Sequence, residues 1–336
     1  MKYETFFGNI LKKHGRIKEY HGKELVFEDA PVQVLQKRKG RDFVILNVTD
    51  IHLSDYDIRF FMGISAMNTV RKIVEEVKPD LITVTGDIVC GTASNKSIKR
   101  FVELMESFGV PWAPVYGNHD DETNCDLNYL TREMMKGEHC LLKPGPEGMR
   151  VGNYVININD EDGNTVQTLF MTDSNHTQPN EKQAEWFTKK SESINTKQTA
   201  IMLHIPLPDY QYAYDAFFDK QSGKWKKGSG GCGEIHEKIA CERDKDKNPV
   251  DRGFLEKARS VNALKNVICG HEHRNDWSVN YNGVRLTYTM KVGKGSGFQI
   301  GFNGTTVFNV NENGMYRMRH IVRKNFKNRV LEDIIM

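Results

Sequence analysis

Paired cysteines are absent from this 336-residue sequence. Its six (Cys90, Cys125, Cys140, Cys232, Cys241 and Cys269) form no CxxC pair and no spacing typical of a zinc knuckle or a disulfide framework. Free thiols in a reducing compartment are the simplest expectation. Long apolar runs are also missing, and none approaches the ~18 residues of a membrane span. The first residues carry an acidic group at Glu4, and their apolar patch is far shorter than a signal h-region. A soluble, cytoplasmic protein is therefore expected. Neither charge dominates: 47 Lys+Arg against 44 Asp+Glu leave a net +3, which gives no reason to expect a nucleic-acid partner. The basic run Arg317, Arg319, Arg323, Lys324, Lys327 and Arg329 reads as a solvated helix face. No internal repeat or low-complexity tract occurs. The 38% apolar content suffices for a real core, in one large domain or two small ones.

Residues 1–40 are polar and weakly patterned, and read as an N-terminal extension with a short strand at Gln33 to Leu35. Residues 41–336 read as a single domain. Phe43 to Val48 is a continuous apolar run, the mark of a strand buried on both faces. From Phe60 to Val77 apolar residues recur at helical spacing (Phe61, Ile64, Met67, Val70, Ile73, Val74, Val77), and Pro79 stops them. Leu81 to Val84 is the next strand, a helix follows around Ile98 to Phe108, and Trp112 to Val115 is a third strand. Such alternation argues for a mostly parallel sheet covered by helices. Tyr154–Asn159 and Val166–Met171 flank a turn and read as a hairpin. Thr199 to Leu203 and Val267 to Cys269 are further buried strands, with a helix at Leu255 to Leu264 between them. Residues 209–250 are irregular. They read as a long loop over a site, mobile when empty, or as an insertion with no role. Near the end, Asn282-Gly283, Asn303-Gly304 and Asn313-Gly314 signal hairpins.

The buried strands stop at polar clusters. The first ends at Asp50-Ile51-His52, the second at Gly86-Asp87 and the third at Gly117-Asn118-His119-Asp120. Two later ones end at His204 and at Gly270-His271-Glu272-His273. Alone, each has an ordinary reading: a helix N-cap, a turn former, a satisfied core histidine. In His271-x-His273, alternate residues of an extended segment face one way and can share a centre. Together the five strand ends suggest a metal site. Carboxylate, amide and imidazole without thiolate suit Mn, Fe, Zn, Co or Ni rather than a structural zinc cage. Seven such side chains are too many for one tetrahedral ion. They suit two ions bridged by a carboxylate, an arrangement that generates hydroxide and clamps a phosphoryl group.

In this order the motifs resemble those of the calcineurin-like metallophosphoesterase superfamily, over roughly residues 43–290. Gly117-Asn118-His119-Asp120-Asp121-Glu122, His204-Ile205-Pro206-Leu207-Pro208, Arg252-Gly253-Phe254 and Gly270-His271-Glu272-His273-Arg274-Asn275-Asp276 are similar to its purple-acid-phosphatase-like branch. The resemblance implies a four-layer α/β/β/α sandwich with two central mixed sheets. It implies that Asp50, His52 and His273 bind one ion, that Asn118, His204 and His271 bind the other, and that Asp87 bridges. It makes His119 the group over the substrate that protonates the leaving oxygen, oriented by Asp120, and leaves Asp121 and Glu122 as helix-start acids. True purple acid phosphatases carry a tyrosine where this chain has Cys90, and a glycine where it has His52. A colourless divalent pair of Mn, Fe(II) or Zn is expected. The implied activity is hydrolysis of phosphoric monoesters, on a small molecule or a phosphoprotein. The same core would also serve a phosphodiesterase or nuclease, or a catalytically silent scaffold.

Overall fold

In a computed structural model of the chain, residues 18–55, 62–239, 241–293, 303–324 and 327–336 are described. The first strands follow the apolar pattern. β1 (Gln33–Gln36) and β2 (Phe43–Val48) precede α1 (Met62–Val77), whose expected start at Phe60 and Phe61 lies outside the described residues. β3 (Leu81–Thr85), α2 (Asn95–Glu106) and β4 (Trp112–Val115) follow. The α2 helix starts at Ser94, whose hydroxyl accepts from Lys96 N, and it buries Ile98, Phe101, Leu104 and Met105 on one face. β2, β3 and β4 pair in parallel. A 3₁₀ turn (Asp120–Glu122) and α3 (Leu127–Met134) come next.

The second half alternates again. β5 (Tyr154–Asn159) and β6 (Thr165–Met171) form the expected hairpin. After them come α4 (Glu181–Glu192), β7 (Thr199–Met202) and α5 (Pro208–Phe217). Then follow the short β8 (Phe218–Asp219), β9 (Lys224–Trp225) and α6 (Phe254–Ala258). The helix foreseen to Leu264 stops at Ala258. Ser260, Val261 and Asn262, all weak helix formers, follow it. β10 (Leu264–Cys269), β11 (Ser278–Tyr281), β12 (Val284–Tyr288), β13 (Gly304–Asn311), β14 (Gly314–Lys324) and β15 (Lys327–Ile335) complete the chain.

Among the described residues two central sheets result, of seven strands (β1-β5-β6-β7-β10-β12-β11) and six (β15-β14-β13-β2-β3-β4). The strand at Gln33, placed by sequence in an extension, is thus the edge of the larger sheet, parallel to β5. The apolar runs divide by parity. Ala200, Met202 and Ile268 enter the core shared with the smaller sheet, while Ile201, Leu203 and Val267 enter a second core under α4, α5 and α6. Each fully buried aliphatic side chain contributes roughly 1.5–3 kcal/mol, which favours the unbroken apolar runs at 200–203 and 267–269. Among the described residues no helix is long and apolar enough to cross a membrane.

Two expectations near the C-terminus need correction. Asn282-Gly283 and Asn313-Gly314 do turn hairpins, β11–β12 and β13–β14. Asn303-Gly304 does not, because β12 and β13 lie in different sheets and Gly304 opens β13. The basic run from Arg317 is not a helix face but the β14–β15 hairpin, in which Arg317 pairs with Asp333. Alternation of charged and apolar residues along β14 carries the strand period, and that outranks the run's charge.

Candidate metal centre

The C-terminal ends of β2, β3 and β4 in one sheet meet those of β7 and β10 in the other. Strand ends of this kind are where α/β proteins build ligand sites. The expected residues gather there in two groups, Asp50 with His52 and His273, and Asp87 with His204 and His271. Within each group the ligand atoms all lie within 4.8 Å of one another. Asp87 Oδ2 stands between the groups, 3.2 Å from His204 Nε2 and 3.5 Å from His52 Nε2. His273 Nε2 is 3.3 Å from Asp50 Oδ1.

Backbone geometry aims these side chains. Asp50, His52, Asp87 and His271 all have left-handed φ, between 52° and 75°. Non-glycine residues hold such angles at a cost of about 1–3 kcal/mol each, and only where the surroundings enforce them. Here Asp50 N donates to Gly86 O (3.1 Å) and His52 N to Asp87 O (2.9 Å). The left-handed bend at His271 also corrects one expectation: His271 and His273 do not share a centre but reach neighbouring ones. Three motif glycines permit the close approach. A Cβ at Gly117 would stand 2.1 Å from Asp87 Oδ1, one at Gly86 would stand 2.6 Å from the His204 ring, and one at Gly270 would stand 2.1 Å from Thr49 Oγ1.

Each carboxylate divides its labour. Asp50 Oδ2 accepts from Thr49 Oγ1 (2.9 Å) and His271 N (3.0 Å), and Asp87 Oδ1 accepts from His119 N (2.9 Å). The opposite oxygens, Asp50 Oδ1 and Asp87 Oδ2, are buried without a hydrogen-bond donor, and so is Asn118 Oδ1. Imidazole nitrogens also converge in pairs, His52 Nε2 with His273 Nε2 (3.0 Å) and His271 Nδ1 with His204 Nε2 (3.2 Å). Buried acceptors without donors are costly, and a divalent cation is the group that satisfies them. His204 Nδ1 donates to Thr85 O at 2.7 Å, the outer contact that leaves a histidine's Nε2 for a metal. These residues therefore fit two divalent ions.

Where no cation supplies positive charge, protons must. Burial disfavours the Asp50 anion, yet the His273 and His52 imidazoles outweigh it and hold the carboxyl well below its usual range. Burial likewise opposes ionisation of Asp87, and His204 overcomes it. Burial lowers His204, but Asp87 raises it to about 10. Burial and Lys291 push His52 down to about 3, and burial and His204 push His271 to about 4.

His119 stands beside this cluster, its ring 5.3 Å from that of His52. Its expected partner is wrong. Asp120 is fully buried and its carboxylate accepts from Gly117 N (2.7 Å), Val89 N (2.9 Å) and Asp87 N (3.0 Å), so it braces the β3 and β4 ends. Burial and the Asp87 charge push it up to about 7. The group on His119 Nδ1 is Glu122 Oε2, at 2.7 Å. Burial lowers His119, and the Glu122 bond with the Asp87 charge raises it overall. Cys90 lies behind the site, its Sγ 3.5 Å from His52 O.

A cavity of about 410 Å³ opens over the cluster, with Asn118 and His271 in its lining. Asp121 and Glu122 border it, as do Cys241 and Glu242 from the irregular segment. That segment is more ordered than foreseen. It begins as α5, Cys232 and Ser278 exchange backbone hydrogen bonds, and Gln178 Nε2 donates to Val250 O (2.8 Å). Sequence reasoning also missed the end of β6. Ser174 Oγ there accepts from His204 N (3.1 Å) and Ile205 N (3.0 Å), and His176 and Thr177 line the cavity. The signal was present: Thr172-Asp173-Ser174-Asn175-His176 is another polar cluster closing a buried strand.

Comparison with known proteins follows the same lines. Residues 43–275 match the family described as calcineurin-like phosphoesterase. The chain is 24% identical over 310 residues to a protein of Arabidopsis thaliana named probable inactive purple acid phosphatase 14, covering 77% of this chain and 73% of that one. It is 26% identical over 217 residues to the phosphatase DCR2 of Saccharomyces cerevisiae, covering 54% and 38%. The crystal structure of a dimetal phosphatase from Danio rerio has a similar fold, with a TM-score of 0.50 at 12% identity, covering 88% of this chain and 98% of that one. The match over residues 43–275 takes in all seven residues expected to bind metal, and the chain belongs to the calcineurin-like phosphoesterase family.

Proposed function

We propose that the protein is a phosphomonoesterase that works with two divalent ions, Mn, Fe(II) or Zn. The observation that carries this reading is the trio of buried oxygens without donors, Asp50 Oδ1, Asp87 Oδ2 and Asn118 Oδ1, beside paired imidazole nitrogens under an open cavity. Asp50, His52 and His273 would hold one ion, Asn118, His204 and His271 the other, and Asp87 both. Such a pair supplies Lewis acidity, ionising a water and neutralising phosphoryl oxygens. The chain's own groups do the rest. His119 protonates the leaving oxygen, held in place by Glu122 through Nδ1, and Asp120 fixes the backbone that presents both. The cavity has room for a phosphoryl group and part of an ester.

The names of some relatives favour a silent scaffold, since those proteins are called probable inactive phosphatases. The intact ligand groups support catalysis instead. Hydrolysis of aryl phosphate by Mn-loaded protein, with metal counted in the same sample, decides between them. Asp87→Asn should lose metal together with activity, while His119→Ala should keep both ions and lose roughly 10²–10⁴-fold in kcat. Two bound ions with no turnover of mono- or bis-aryl phosphate would establish the scaffold. Faster turnover of the bis-aryl ester would make the protein a diesterase.

A further inference from the structure

Beyond the reacting centre, the loop that follows β6 is built to place one more imidazole over the cavity. It is braced from three sides. Asp173 is fully buried, its Oδ1 accepts from Arg150 Nη1 (2.6 Å), and its Oδ2 accepts from Asn175 N (2.8 Å). Gln183 at the start of α4 donates to Asp173 O (2.7 Å) and accepts from the Asn175 side chain. Ser174 Oγ receives His204 N and Ile205 N, so the loop is tied to a residue of the metal cluster. Within this frame Asn175 (φ 46°) and His176 (φ 66°) are consecutive left-handed residues, neither of them glycine. Strain of that kind persists where a side chain must be delivered to one place. It delivers His176 to the cavity wall, half exposed, with Nε2 3.6 Å from Asp121 Oδ2 and Thr177 next to it. The following Gln178 is buried and donates to Val250 O (2.8 Å) and Glu242 Oε2 (3.3 Å), which locks this wall to the segment around Glu242.

We propose that His176 is a specificity-determining residue that hydrogen-bonds the leaving-group side of the ester. The inference rests on the metal-dependent hydrolase reading. Asn118 and His271 belong to the metal cluster and line the cavity, so the phosphoryl group belongs beside them. His176 is outside that cluster, and the Asp121 it faces lies two residues after His119, the group that protonates the leaving oxygen. It meets the part of the substrate that projects from the phosphoryl group. Beside Asp121 its imidazole offers an N–H, and Thr177, whose hydroxyl proton goes to Glu242, offers an oxygen that accepts. The pair fits a leaving group rich in hydroxyl or ether oxygens rather than a plain hydrocarbon.

The test uses two non-hydrolysable probes on Mn-loaded protein, methylphosphonate and 3,4-dihydroxybutylphosphonate, with binding read by calorimetry. His176→Gly deletes the imidazole while keeping the left-handed backbone, which alanine would strain. His176→Asn keeps a hydrogen-bonding group and tolerates the same φ. The wild type should bind the hydroxylated probe more tightly. His176→Gly should weaken that probe by about tenfold, the size of one good hydrogen bond, and His176→Asn should restore part of it. Methylphosphonate affinity and metal content should not move. Equal weakening of both probes, loss of metal, or no change in either would overturn the inference alone. A wild type that binds no metal would overturn the functional reading and this inference with it, and the metal count separates the two failures.

Discussion

His119 and Glu122 meet because three residues of 3₁₀ helix bring positions i and i+3 onto one face. Adjacent positions on a helical turn diverge, so Asp120 cannot follow His119 and turns inward to three backbone N–H groups instead. The polar strand ends were legible in sequence, and six of the seven residues expected to bind metal fall in the two groups. Which acid serves the histidine was not, because it depends on a turn only three residues long. Glu122→Gln should lower kcat about tenfold with both ions retained, an effect of weakened orientation. Asp120→Asn turns an amide towards backbone donors and should reduce both stability and metal content. Gly117→Ala should do the same more severely, since its Cβ would occupy the space of Asp87 Oδ1. A further residue escapes the sequence altogether. His320 on β14 is buried, its Nε2 donating to Asp276 O and its Nδ1 accepting from Thr306. Burial outweighs the Asp276 carbonyl and pushes it down from 6.5 to about 4. The folded chain then binds fewer protons than the unfolded one between these values. The stability from His320 is full above pH 6.5, falls as pH drops, and is gone below pH 4, a loss of roughly 3 kcal/mol. Urea unfolding at pH 7 and pH 4 should show His320→Gln losing correspondingly less than the wild type.

Among elements, the parallel strands were the most legible, because burial on both faces leaves an unbroken apolar run. Least legible was the stretch after α5. Its order comes from distant partners rather than from local pattern. Glu234 N donates to Asp276 Oδ1 (2.6 Å), and His236 N and Glu237 N both donate to Asn275 Oδ1 (3.0 Å each). Trp225 packs against Trp277, ring centroids 5.2 Å apart. No periodicity in residues 209–250 encodes contacts whose other half lies beyond residue 270. Asn275→Ala removes one oxygen that serves two backbone donors, at a cost of about 1–3 kcal/mol confined to this segment. Limited proteolysis should then cut between Lys226 and Asn248 several times faster than in the wild type, while the far-UV spectrum is kept.

For the molecule as a whole, the cluster sits on the seam between the two sheets, with Asp50, His52, Asp87 and Asn118 from the smaller and His204, His271 and His273 from the larger. A pair of ions there would join segments 86 residues or more apart in the chain, and binding only to the folded state would stabilise it by mass action. Chelation should lower the melting temperature, on the order of 5 °C for ions held at a hundred times their dissociation constant. Calorimetry with and without Mn measures it. The short loop from Gly270 to Asp276 has a consequence for how such a protein can change over evolutionary time. It carries two metal-cluster histidines at one end and, at the other, the two side chains that anchor the cavity's cover. A change of substrate achieved by moving the cover would shift the histidines as well. New specificities are therefore freer to arise across the cavity, in the loop after β6, where a single side chain can be exchanged and the metal geometry left as it was.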